Sequence, residues 1–225
     1  MNRENKNLFV FGDSWPAGAE LSNYDRTLTF PCNIANSLGM KLINCSVEAT
    51  SQDQAVLSFL SRLNDDAELF KNSKVLFCFT GYSRSMKFDQ DNSAWAEVCP
   101  YNKEDKQYYK KMYTDELGQY NFLKNIILIQ HVCKSLDIQI YCVTNWESAP
   151  KHMLIDDVLI YDKSLFEIVE LTNANETSSS FWDQLQKKNK NRNRYFQGME
   201  CHPNVLGHKK ISDELTQWIK QEYAR

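Results

Sequence analysis

The chain has 225 residues, of which 42% are hydrophobic and 24% charged, with a formal net charge of −3. That is the make-up of a globular α/β domain able to bury its own core; the charge gives no nucleic-acid signal, and no apolar run is long enough for a signal-peptide core or a membrane span. The seven cysteines are odd in number and include no CxxC pair, so reduced core thiols and a cytoplasmic location are expected. A virion-borne or leaderless-exported chain would read the same.

Residues 8–11 (Leu-Phe-Val-Phe) have the pattern of a strand buried on both faces, which Gly12-Asp13 ends. Ser14 thus falls on a turn at a strand's carboxyl end, where open parallel α/β sheets bind ligands. Pro16 and Gly18 make the next stretch a loop, and Pro31 and Gly39 bound a helix over 30–38. A second strand is expected over 41–47. Ser51 and Gln54 form a capping-box pattern, followed by Ala55, Val56, Phe59, Leu60 and Leu63 on one helical face. Residues 74–80 read as the third strand, ending at Gly81.

Residues 86–113 are polar and aromatic without clear periodicity, and too long for an ordinary connection, so an insertion over the site is expected. Trp95, Tyr101, Tyr108, Tyr109 and Tyr113, with Tyr120 beyond, suit sugar rings or the packing of the insertion itself. A helix over 115–136 is expected to turn Leu117, Leu123, Ile126, Ile127, Gln130 and Cys133 toward the sheet. Residues 139–144 form a fourth buried strand. The segment 145–199 is irregular, with a short strand at 158–161, a helix around 181–188 and a solvated basic loop at 187–194. His202-Pro203-Asn204 then precedes a last helix through Ile211, Leu215, Trp218 and Ile219.

Strand and helix in alternation predict a parallel sheet covered on both faces. A doubly wound order of 2-1-3-4-5 places the switch point between the first and third strands, so Ser14 and Gly81 face one crevice.

Phe-Gly-Asp-Ser near the amino terminus, a polar loop after the second strand, a glycine-containing loop after the third, and His-Pro-Asn with Gly-His before the last helix together resemble the SGNH (GDSL-type) hydrolase superfamily. The resemblance runs from end to end of the chain in order and spacing. It implies one domain over 1–225, a flavodoxin-like three-layer α/β/α sandwich, and a serine esterase without cofactor. Carried over, Ser14 is the nucleophile and His202 its base, since a serine hydroxyl attacks well only when a base takes its proton. The family's acid lies three residues before the histidine, where this chain has Met199; Glu200 is the substitute, the alternative being a Ser14–His202 dyad.

The implied oxyanion donors are the N–H of Ser14, the N–H of Ala49 at the family's glycine position, and the side chain of Ser83 at its asparagine position. Alanine is strained at the former if that position needs positive φ. Gln52 and Arg84 are alternative donors nearby. Asp13, Trp15, Gln52, Arg84 and Trp146 are the candidate substrate-facing residues, and His208 is read as a structural hydrogen-bonding residue. No metal is expected, because neither Cys201-His202 nor His202 with His208 carries a ligand set. The expected partner is a small-molecule ester or an acylated glycan, with no nucleic acid and no membrane; the oligomeric state is not legible. Two alternatives share the scaffold: a weak or inactive glycan- or partner-binding protein, and an acyltransferase.

Overall fold

The computed structural model describes residues 6–19, 21, 25–89, 93–100, 102–146, 159–170, 196–197 and 202–223. Three strands with near-continuous apolar sequence, β1 (Asn7–Gly12), β3 (Lys74–Phe79) and β6 (Gln139–Thr144), run side by side, and β2 (Lys41–Asn44) flanks them in the parallel order β2-β1-β3-β6. Leu8 lies beside Leu42 and Gly12 beside Cys78, while Phe79 pairs with Thr144. Beyond β6, residues 159–161 hold the fifth place through one parallel bridge, Cys142 to Ile160, instead of an extended strand. The order therefore agrees with 2-1-3-4, with the fifth position reduced to that bridge.

Because successive side chains of a strand point to opposite faces, each buried strand feeds two cores. Leu8, Val10, Leu76, Cys78, Tyr141 and Val143 pack against α2 (Phe30–Leu38), α6 (Leu165–Glu170) and the last helix, α7 (Val205–Tyr223). Phe9, Phe11, Val75, Phe77, Phe79, Ile140 and Cys142 face α3 (Gln52–Asp65) and α5 (Asp115–Ser135). This is a three-layer α/β/α sandwich with its parallel sheet in the middle. No helix among the described residues is long and apolar enough to cross a membrane.

Two local expectations change, and the expected insertion is given its elements. The stretch after Asp13 is not a loop but a one-turn helix, α1 (Ser14–Ala17), because the Asp13 carboxylate caps it and Gly18 closes it in the left-handed conformation. Within the insertion expected over 86–113, β4 (Ser85–Asp89) and β5 (Ala94–Val98) pair antiparallel, and α4 (Lys106–Lys111) follows. In α5 the buried face is Gly118, Phe122, Asn125, Ile126, Ile129 and Cys133, one residue round from the expected one, and Leu117 is exposed. Two contacts fix that rotation. A Cβ at Gly118 would come within 2.8 Å of the Tyr82 carbonyl, and Asn125 Nδ2 donates to Asp53 Oδ1 at 2.9 Å. The helix expected around 181–188, the basic run at 187–194 and most of the irregular segment lie outside the described residues.

Candidate active site

Gly12 ends β1 where the chain comes so close to β3 that a Cβ would meet the Cys78 carbonyl at 2.7 Å and Pro16 Cγ at 2.7 Å. Only glycine fits, and the chain then turns over the strand's end so that Ser14 opens α1. Its N–H belongs to the first helical turn and takes no intrahelical partner, while its carbonyl accepts from Gly18 N at 3.1 Å and Ala19 N at 3.0 Å. Ser14 retains 8% of its surface.

Asp13 holds this turn. Its Oδ1 accepts from Trp15 N at 3.0 Å and from Asn145 Nδ2 at 2.6 Å, and its Oδ2 lies 3.8 Å from Arg84 Nη1. The carboxylate is almost fully buried, so these donors and the cation replace the water it loses. Asn145 is fixed in turn: its N–H donates to the Phe79 carbonyl at 2.8 Å and its carbonyl accepts from Phe166 N at 2.9 Å. Sequence reasoning missed Asn145, whose one signal is its place directly after β6.

His202 stands on a two-residue strand, β8 (His202–Pro203), paired with β7 (Phe196–Gln197), and β8 lies against α1. Ser14 and His202, 188 positions apart in the numbering, are thus brought to neighbouring elements, both buried. Asn204 caps α7, its Oδ1 accepting from Gly207 N at 3.0 Å, which accounts for the block His-Pro-Asn-Val-Leu-Gly. His208 Nδ1 accepts from Phe30 N at 3.2 Å at the start of α2. Burial, helped by the nearby His202, pushes the His208 imidazole down to about 3, so it is neutral and structural. Glu200 lies outside the described residues.

The loop from Gly81 to Arg84 crosses the end of β3 and closes on itself through Arg84 N to the Gly81 carbonyl, 3.1 Å. The Tyr109 hydroxyl of α4 contacts the carbonyls of Ser83 and Val98, tying loop to hairpin. Ser83 is half-buried, its Oγ 3.9 Å from where a Gly81 Cβ would stand. Ala49, on the exposed turn before α3, has φ +61°, the left-handed conformation that disfavours alanine. Gln52, at the first position of α3, is 1% exposed, and neither amide atom has a hydrogen-bond partner among the described residues. Glu97 of the hairpin accepts from Ser51 N at 2.8 Å; burial raises its carboxyl, while the charge of Arg84 opposes the rise.

Of the two tryptophans expected as walls, Trp15 has no exposed surface. It packs edge-on to Trp146 at 4.9 Å inside the α2–α7 core, and so backs the site without facing it. Trp146 is half-buried and flanks Gly81. Among the described residues, no group of three or more histidine, cysteine or acidic side chains could hold a metal ion.

No family model and no curated protein matches the sequence. Solved structures do match the fold. A lipolytic protein of the G-D-S-L family from Desulfitobacterium hafniense superposes with a TM-score of 0.53 at 11% identity, over 95% of this chain and 99% of that one. The esterase EstA from Pseudoalteromonas gives 0.51 at 14% identity, over 98% and 100%. An acetyl xylan esterase, Est2A, from Butyrivibrio proteoclasticus gives 0.53 at 11% identity, over 97% of this chain and 64% of that one. The chain has the fold of the SGNH, or GDSL-type, hydrolases.

Proposed function

We propose that the protein is a serine esterase acting on a small ester or an O-acylated carbohydrate through an acyl-enzyme. The observation that carries this is the contact between α1, which starts with Ser14, and β8, which holds His202, at the carboxyl end of the sheet. Ser14 Oγ attacks the ester carbonyl while His202 takes its proton, and the carbonyl π pair moves to oxygen. As the C–O bond to the alcohol breaks, His202 returns that proton to the leaving oxygen. Water then repeats the sequence on the acyl-enzyme, releasing the acid and restoring Ser14. Backbone N–H groups of Ser14 and Ala49 face the developing oxyanion on this reading. The names of two neighbours, an esterase and an acetyl xylan esterase, support the ester class, and the exposed Trp95 of the hairpin suits a sugar face.

The test is intact-mass labelling with a fluorophosphonate beside hydrolysis of p-nitrophenyl acetate and butyrate. Wild type takes one adduct and turns over; Ser14→Ala loses both, and His202→Ala falls to near background with its fold intact. A folded wild type with neither adduct nor turnover, yet with persistent glycan binding, replaces this reading with the binding-protein one. Glu200→Gln then separates the triad from the dyad: a large loss of kcat with little change in KM assigns the acid to Glu200, and an unchanged kcat assigns the dyad.

A further inference from the structure

Beside the nucleophile turn lies a cation with unused donors. Arg84 Nη1 stands 3.8 Å from Asp13 Oδ2, beyond hydrogen-bonding distance, and the oxygen of Asp13 that does accept, Oδ1, already receives Trp15 N and Asn145 Nδ2. Asp13 therefore orients the guanidinium without consuming its N–H groups. Nη1 is buried and makes no hydrogen bond to any described residue. A buried charged donor without a hydrogen bond is costly, and in a native protein it calls for an explanation, a catalytic role being one.

The loop that carries Arg84 is clamped at three points. Its turn is closed by Arg84 N on the Gly81 carbonyl, the Tyr109 hydroxyl holds the Ser83 carbonyl, and the Tyr82 ring packs on Phe122 at 4.8 Å, its carbonyl beside Gly118. Glu97 on the hairpin feels the charges of both Arg84 and Asp13. A donor fixed in advance and partly withdrawn from water stabilises developing charge far more than one that must reorganise. The competing donors carry no charge. Ser83 offers a short neutral hydroxyl, 3.9 Å from where a Gly81 Cβ would stand, and Gln52, buried like Arg84 Nη1 with no described hydrogen bond, offers only an amide dipole.

We propose that Arg84 is a catalytic residue: its guanidinium donates to the substrate's carbonyl oxygen as that oxygen becomes the oxyanion, in place of the asparagine side chain that the SGNH pattern calls for at Ser83. The role rests on the serine-esterase reading. No proton moves to or from Arg84, which stays charged throughout; when Ser14 Oγ bonds to the carbonyl carbon and the π pair moves to oxygen, the new charge forms against the cation.

The test compares Arg84→Met, Arg84→Lys, Arg84→Ala and Ser83→Ala with wild type, using p-nitrophenyl acetate kinetics, the rate of fluorophosphonate labelling and thermal unfolding. Arg84→Met should lose on the order of 10²–10³ in kcat with KM changed only a few-fold, and label correspondingly slowly. Arg84→Lys should keep part of the rate, and Ser83→Ala should stay within a few-fold. Millimolar guanidinium should partly restore Arg84→Ala without moving its Tm, an effect that a purely structural role would not show. Full kcat in Arg84→Met overturns the proposal, as does a loss that follows a lowered Tm and is not rescued. A wild type with neither adduct nor turnover removes the esterase reading and this role with it, whereas an active wild type matched by Arg84→Met removes this role alone.

Discussion

Ala49 adopts φ +61° on an exposed turn, a conformation in which an L-residue with a Cβ loses about 1–2 kcal/mol to the neighbouring carbonyl oxygen. Glycine relieves that strain but has more freedom to lose on folding. Ala49→Gly should therefore stabilise by about 1 kcal/mol, a rise in Tm of about 2–4 °C at this chain length, with kcat kept because the backbone path does not change. A lower Tm would mean that the turn does not hold the positive φ in solution. His208 makes a second residue-scale prediction. Its Nδ1 accepts the Phe30 N–H only as neutral imidazole, and burial lowers it from 6.5 to about 3. Between those values the unfolded chain binds a proton that the native state refuses, so stability falls as pH drops through 6.5 and levels off below 3. The slope approaches about 1.4 kcal/mol per pH unit. Urea unfolding at pH 7 and pH 5 should show about 2 kcal/mol from this group in wild type and none of it in His208→Asn, whose amide oxygen can accept the same N–H. An equal pH dependence in both proteins would overturn the assignment.

The start of α3 shows why some elements were legible and others were not. The Ser51/Gln54 pattern marks the helix start, and Ser51 Oγ does accept from Gln54 N at 3.3 Å. The reciprocal bond to Ser51 N comes from Glu97, 46 positions away on a hairpin that has no periodic sequence signal. Hydrophobic period reports burial against a neighbour; β4, β5 and α4 are held instead by polar bonds from Glu97 and Tyr109, which leave no period. Asn145 escaped for the same reason, since its partner Asp13 lies 132 positions away. The turn at Ser14 and the helix cap beside His202 were legible because Gly12, Asp13 and Asn204 are their sequence neighbours, while the roles given to the two residues came from the family resemblance. Tyr109→Phe tests the tether directly. Removing a hydroxyl that ties a loop carbonyl to a hairpin carbonyl should cost about 1 kcal/mol of stability and, by loosening Arg84, lower kcat several-fold. An unchanged kcat would show that the loop keeps its geometry without the hairpin.

At the scale of the whole molecule, β1, β3 and β6 each contribute alternate side chains to both cores, so neither helical layer can leave without exposing the sheet that the other layer needs. The two cores should therefore unfold as one cooperative unit. Three thiols report on this. Cys78 lies in the α2–α7 core, and Cys133 and Cys142 lie in the α3–α5 core. Burial pushes all three thiols up, Cys133 to about 12, so thiolate, the species that reacts, is scarce in the native state. Pulse labelling with a thiol reagent across a urea series, read by peptide mass, should give Cys78, Cys133 and Cys142 a common midpoint, because each is reached only through global opening. The half-buried Cys32 and Cys99 should react in native buffer, ahead of that transition, and Cys45, whose thiol burial also pushes up, more slowly than they do. Labelling of Cys133 and Cys142 at lower urea than Cys78 would show that the α3–α5 layer detaches first. The strands would then belong chiefly to the α2–α7 core, which carries Trp15 behind the nucleophile turn, and Asp13–Asn145 would survive an opening that removes Arg84 and its clamp.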